Sequence, residues 1–154
     1  MQTYSYAVVF EPRESTPGFV VTFPDVPEAI TEGDNLDDAR LMAADALGHA
    51  LLTYLEMNRS LPEVRAQGEM ISPETSLAIK IALIDTFSKA GITRSELARR
   101  IGKDEKEARR LLDPDTTTKL PLVASALKAM GQRLVIGIER APTTDPTVDN
   151  HMTA

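Results

Sequence analysis

Between Ile92 and Leu112 the chain reads ITRSELARRIGKDEKEARRLL, and this stretch restricts the fold more tightly than any other. Its apolar residues fall where two short helices crossing at a tight turn need them. Thr93 caps a first helix that carries Leu97 and Ile101 at the four-residue spacing of helix neighbours, with Ala98 facing an approaching second helix. Gly102 ends it, because a residue without Cβ enters the left-handed conformation cheaply and lets the chain turn within a few residues. Asp104 caps the second helix, which buries Ala108, Leu111 and Leu112 and turns Lys106, Arg109 and Arg110 outward. The small residues Ala98, Gly102 and Ala108 let the helices approach, and the pattern reads as a helix-turn-helix. It also suits an ordinary pair of surface helices. Lys103 and Ala108 stand where such motifs more often carry a larger apolar residue, so support from a neighbouring helix is expected.

Charge divides sharply along the chain. The net charge of −6 looks unsuited to nucleic acid, but Met1 to Met70 holds four basic residues (Arg13, Arg40, Arg59, Arg65) against twelve acids, a net of −8. Gly91 to Ala141 holds eleven basic residues against seven acids, a net of +4. Two partners of opposite charge are implied. With 154 residues, 42% of them apolar, the chain can hold one domain or two small ones, and the charge pattern favours two. It has no cysteine, no secretory signal and no apolar run of membrane length, so a cytoplasmic location without a membrane partner is expected. Two histidines, His49 and His151, are too few for a histidine-rich metal centre. No catalytic group, metal or cofactor is expected.

In chain order, Tyr4–Pro12 (YSYAVVFEP) reads as one strand, with Tyr4, Tyr6 and Val8 on one face. RESTPG is a turn, and Phe19–Phe23 completes an antiparallel hairpin that Pro24 stops. A third strand covers Ala29–Glu32. Asp34 is the expected cap of a long helix ending near Asn58, with Leu36, Ala39, Ala43, Leu47, Ala50, Leu51 and Tyr54 as its apolar stripe. One face of the resulting sheet is left open. Residues 62–71 read as a linker, with a possible short strand at Glu69–Ile71. Ser72 and Pro73 open a supporting helix that Gly91 ends, and its stripe is Leu77, Ile81, Ile84 and Phe87. A polar loop and a helix over Leu122–Met130 follow. The run Arg133, Leu134, Val135, Ile136, Gly137, Ile138, Glu139 alternates like a strand but has no partner in its own unit. Pairing with a second copy of itself is expected to form a dimer. Residues 142–154 read as a disordered tail.

These parts, in this order, resemble the HicB family, antitoxins of HicAB toxin–antitoxin modules, in the version with a C-terminal helix-turn-helix. The likeness rests on YSYAVVFEP, GFVVTFPDVPEAITEGDNLDDA and the long helix in front, and on ITRSELARRIGKDEKEARRLLDP and LKAMGQRLVIGIE behind. The phrase GFVVTFPDVPEAITEGD is its most specific piece. The resemblance implies an α+β fold with a partial RNase H-like front domain (residues 1–61) that binds and blocks a HicA-type RNase toxin. It also implies a back domain (residues 72–141) that binds operator DNA and represses the operon.

From the motif, Lys106, Arg109 and Arg110 are expected nearest bases or phosphates, and Thr93, Arg94 and Ser95 on the backbone. Lys103 and Lys119 flank them, and Glu105 faces a base edge or solvent. For the toxin, Phe19, Phe23, Pro24, Asp25 and Glu28 are the expected surface, with core burial an equal reading of the two phenylalanines. Two other functions fit parts of the pattern. A metal nuclease would use Asp25, Glu28, Glu32 and Asp34, yet these lie in a loop, at a strand end and at a helix cap rather than converging from strand centres. A ligand-sensing repressor would need a polar binding cluster that the sequence does not display.

Overall fold

The computed structural model describes residues 1–142. It is a mixed α and β chain with five helices and two small antiparallel sheets among these residues. The first run of strand residues is divided: β1 (Tyr6–Ala7) pairs with β5 (Met70–Ile71), and β2 (Val9–Pro12) pairs with β3 (Phe19–Thr22). Val8 lies between them and donates its amide to the Glu69 carbonyl at 2.9 Å. The single strand expected over Tyr4–Pro12 is thus shared between two partners, one of which, Met70–Ile71, lies far along the chain. β4 (Ile30–Gly33) pairs with β3, giving the order β2-β3-β4. Its register stacks Phe10, Val21 and Thr31 toward one face and Val9, Thr22 and Ile30 toward the other.

Helix α1 (Leu36–Glu56) covers the first of these faces. Its cap is Asn35, whose side chain accepts the Asp38 amide at 2.9 Å, and the Asp38 carboxylate accepts the Asp34 amide at 2.8 Å. This corrects the assignment of the cap to Asp34. Both residues suit the role, but the bond from the Asp38 amide goes to the Asn35 side chain and selects it. Ala39, Ala43, Leu47 and Leu51 are fully buried against Val21, Phe23 and Val26. Each buried leucine contributes roughly 1.5–3 kcal/mol. The helix ends through Asn58, a non-glycine residue at φ 54°, with the Arg59 amide reaching back to the Tyr54 carbonyl at 2.9 Å.

Helix α2 (Thr75–Ala90) begins later than Ser72 and Pro73 suggest, because the Glu74 carboxylate accepts the amides of Ser76 and Leu77 and takes the cap position. It crosses α1 at Gly48, where an added Cβ would lie 2.5 Å from a Leu77 methyl. That close approach explains a glycine in the middle of α1. Ile81 of α2 joins the sheet core, while Leu83 joins a second core with Leu97, Leu111, Val123, Ala126 and Leu127. Helices α3 (Arg94–Ile101), α4 (Glu105–Leu111) and α5 (Leu120–Ala129) enclose that second core. α5 starts two residues before the expected Leu122, with Pro121 in its first turn. Residues 143–154 of the expected tail lie outside the described residues.

Candidate functional site

The local chemistry of α3 and α4 follows the sequence closely. Thr93 accepts the Glu96 amide at 3.1 Å, and Asp104 accepts the Glu107 amide at 2.8 Å. Gly102 has φ 68°, and the Lys103 amide returns to the Ala98 carbonyl at 2.9 Å. Ala98 and Ala108 are buried where the helices meet. The neighbouring helix that this small-residue contact needs is α2, whose Leu83, Ile79 and Phe87 pack into the same core.

The cations on this unit sort into two sets. Arg99 and Arg100 both hold Glu96, and Arg100 also reaches the Ala129 carbonyl at 3.0 Å, so these two arginines fasten α3 to itself and to α5. The two arginines draw the Glu96 carboxyl down to about 2. Arg94, Lys103, Lys106, Arg110 and Lys119 form the other set: they are exposed and have no ion pair among the described residues. Arg109 is intermediate, 3.6 Å from Glu105. Glu105 also accepts the Ser95 hydroxyl at 3.1 Å, so it ties α3 to α4 instead of standing free. Between α4 and the start of α5 lies a cleft of about 510 Å³ whose walls carry Lys103, Arg110, Lys119 and one acid, Glu107.

Sequence reasoning passed over Lys80. Only 3% exposed, it extends from α2 to the C-terminal end of α4 and donates to the Leu111 carbonyl at 2.9 Å and the Thr118 hydroxyl at 2.9 Å. The Arg110 carbonyl and Thr116 hydroxyl lie at 3.4 and 3.3 Å. A cation here satisfies carbonyls that the helix end leaves without partners and opposes the negative end of its dipole. Burial lowers the Lys80 pKa, and the nearby Asp113 charge partly offsets this. A lone lysine inside the apolar run LAIKIALI is the sequence signal that could have exposed it.

The residues expected to meet a toxin are arranged differently from the sequence reading. Phe23 is 1% exposed and belongs to the core, which corrects its assignment to a contact surface. Phe19 is half-buried at the edge of the same core, and Pro24 is exposed. The Asp25 carboxylate accepts the amides of Arg65 and Ala66 at 2.9 and 2.8 Å, fastening the following connection. Glu28 accepts the Tyr54 hydroxyl at 2.6 Å, which lowers its pKa, and Arg59 stacks on the Tyr54 ring. Glu32 and Asp34 both lie against Arg13. Among the described residues no three acids or histidines come together to hold a metal. Nor is any helix there long and apolar enough to cross a membrane.

Residues 133–139 form no helix and pair with no strand among the described residues. Leu134 leans on the second core, while Val135 and Ile136 are exposed and Ile138 is 98% exposed.

Residues 5–79 match the family described as the HicB-like antitoxin of bacterial toxin–antitoxin systems. Antitoxin HicB 2 of Photorhabdus laumondii is 38% identical over 130 residues, covering 84% of this chain and 92% of the relative. The chain belongs to the HicB antitoxin family. Antitoxin HicB of Escherichia coli is 38% identical over 120 residues, covering 76% of this chain and 87% of that one, and Antitoxin HicB of Pseudomonas fluorescens is 31% identical over 131 residues, covering 81% and 89%. These matches support the role of an antitoxin within a toxin–antitoxin pair. The family match ends at residue 79, within α2.

Proposed function

We propose that this HicB-family chain neutralises a HicA-type, RNA-cleaving toxin through its front unit and represses its own operon by binding operator DNA through α3 and α4. On this reading the front unit is a partial RNase H-like domain, the back unit is a helix-turn-helix domain, and both work in the cytoplasm without enzymatic activity of their own. The division falls near residues 62–71. Family membership supports the antitoxin role. The observation that carries the DNA role is the set of five unpaired cations at α3, α4 and the start of α5, because ion pairs within the protein would otherwise compete with phosphates.

α4 enters the major groove, with Lys106, Arg109 and Arg110 toward bases or phosphates and Lys103 and Lys119 beside them. Thr93, Arg94 and Ser95 lie along the backbone. Glu105 releases Arg109 or keeps it aligned through Ser95. Residues 133–139 pair with their copy, so that two α4 helices address two half-sites. A dimer that neutralises about six phosphates gives a slope of log affinity against log salt of about −5.

Co-expression with the HicA-type toxin encoded beside it, scored for growth, tests neutralisation; binding of the full chain to the upstream DNA of that operon across a salt series tests repression. Growth rescue together with a steep negative slope supports both parts. Rescue with no binding to that DNA removes the repressor part, and binding without rescue removes the antitoxin part.

A further inference from the structure

Asp25 and Glu28, in the loop after the hairpin, are engaged within the chain, which turns attention to another part of the front unit as the surface that meets the toxin. The three-stranded sheet is covered by α1 on one face only. Its opposite face carries Val9, Thr22 and Ile30 in one cross-strand row and Glu11, Val20 and Glu32 in the next. Val9 and Val20 are more than a third exposed and Ile30 is 64% exposed, so three apolar side chains stand together in solvent on a rigid surface. Glu11 has no ion pair among the described residues, and Glu32 meets Arg13 at 3.2 Å.

We propose that this outer sheet face is the docking surface for the toxin, resting on the antitoxin reading above. The occupant is a small basic protein that presents an apolar patch bordered by lysine or arginine. Charge complementarity selects it: the face lies within a segment of net charge −8, and its two rows combine β-branched apolar residues with carboxylates. Apolar residues at the centre of such a face supply affinity, and rim acids steer a basic partner into place. The strands hold these side chains in register whether or not a partner is bound, so docking requires little reordering. A lattice of backbone hydrogen bonds, and not the loop chemistry of Asp25 and Glu28, sets the geometry of the surface.

The test uses the full chain and the HicA-type toxin encoded with it, in a form unable to cleave RNA. The double variant V20K/I30K places two cations on an exposed face, and it should lower toxin affinity by about thirty-fold or more while operator binding stays unchanged. Should that variant unfold, V20T/I30T keeps branching at Cβ while three apolar carbons give way to two hydroxyls; a loss of about threefold to tenfold is then expected. E11K should slow association and flatten its salt dependence. Variants that bind the toxin as the wild type does, or that change only the protein's own oligomeric mass, overturn this surface. A wild-type chain that fails to bind the toxin overturns the antitoxin reading and this surface with it.

Discussion

In the front unit the charged side chains are mostly turned to internal tasks, whereas in the back unit five cations remain unpaired. Asp25 fastens residues 65 and 66, Glu28 holds Tyr54, Asp38 closes the start of α1, and Glu69 holds Arg40 at 2.8 Å. What the front sheet leaves exposed is apolar surface with a few acids around it. In the back unit the helices turn most of their apolar residues into a small core, leaving Val135, Ile136 and Ile138 exposed beyond α5, and Glu96 engages two of the arginines while Arg94, Lys103, Lys106, Arg110 and Lys119 stay outside. Residue type alone does not mark a binding surface. The groups left without an internal partner do, and by that criterion the two units suit partners of different chemistry.

The comparison can be broken most severely at residues 133–139. Proline at Ile136 removes a ladder donor and fixes the backbone against pairing. I136P should abolish the proposed dimer and reduce operator affinity by roughly 10²–10⁴, the gain expected from linking two modules. Toxin binding should persist. Sedimentation and titration of labelled operator measure both consequences, and an unchanged mass in solution would place the dimer contact elsewhere.

Lys80 tests the back unit by itself. K80M leaves buried carbonyls without their charged donor and should destabilise the protein by about 1–3 kcal/mol in urea unfolding. Operator affinity should fall as α4 and residues 113–119 loosen, with K80R recovering more of both than K80M does. Full operator affinity in K80M would show that α4 holds its position without this tether.

Alkaline pH is expected to loosen the seam between the N-terminal segment and α2. The Tyr4 hydroxyl donates to Asp85 and the Tyr6 hydroxyl to the Pro62 carbonyl. Burial first, and the Asp85 charge second, push Tyr6 up to about 12 and raise Tyr4 as well. An unfolded chain loses these protons near pH 10 while the folded chain keeps them. Their contribution is therefore complete below pH 10 and is lost as pH rises toward about 12. Lys80, whose pKa is lowered, acts in the opposite direction as pH approaches its unfolded value near 10.5. Two tyrosines against one lysine should give a net fall. Urea unfolding of Y4F/Y6F at pH 8 and pH 10.5 should show a flatter decline than the wild type.

The finest contrast lies within α3 and α4. R110Q removes an unpaired cation and should reduce the magnitude of the salt slope by about 1, whereas R99Q disturbs an exposed pair with Glu96 and should leave operator binding within about twofold. Equal losses would erase the distinction between the two sets.

The readable parts of the structure were those decided within a few residues. Thr93, Gly102 and Asp104 set caps and a turn through bonds that span three to five positions, so their pattern is visible in the letters. The hairpin and the stripe of α1 follow equally local periodicities. Asn35 displaced Asp34 because adjacent residues offered the same chemistry and only the bond from Asp38 distinguished them. Asp25 and Glu28 looked like free loop acids because their partners come from residues 65, 66 and 54. The division of Tyr4–Pro12 at Val8 depends on Glu69 and Met70, and the role of Lys80 depends on Leu111 and Thr118. Long-range partners carry no local signature, and the candidate surfaces changed most where such partners decided the outcome.

α2 has a bearing on how such chains can be recombined. Ile81 faces one core and Leu83 the other, Lys80 reaches α4, and Asp85 receives Tyr4. A chimera joined at residue 72 transplants the whole helix with the back unit and confronts a foreign α1 with Leu77 and Ile81, and a foreign N-terminal segment with Asp85. Joined after Ala90, it sends Lys80, Leu83 and Phe87 to a foreign α4 and α5. Exchange of front units between relatives therefore succeeds only where α2 already fits both sides, or where its two faces are redesigned separately.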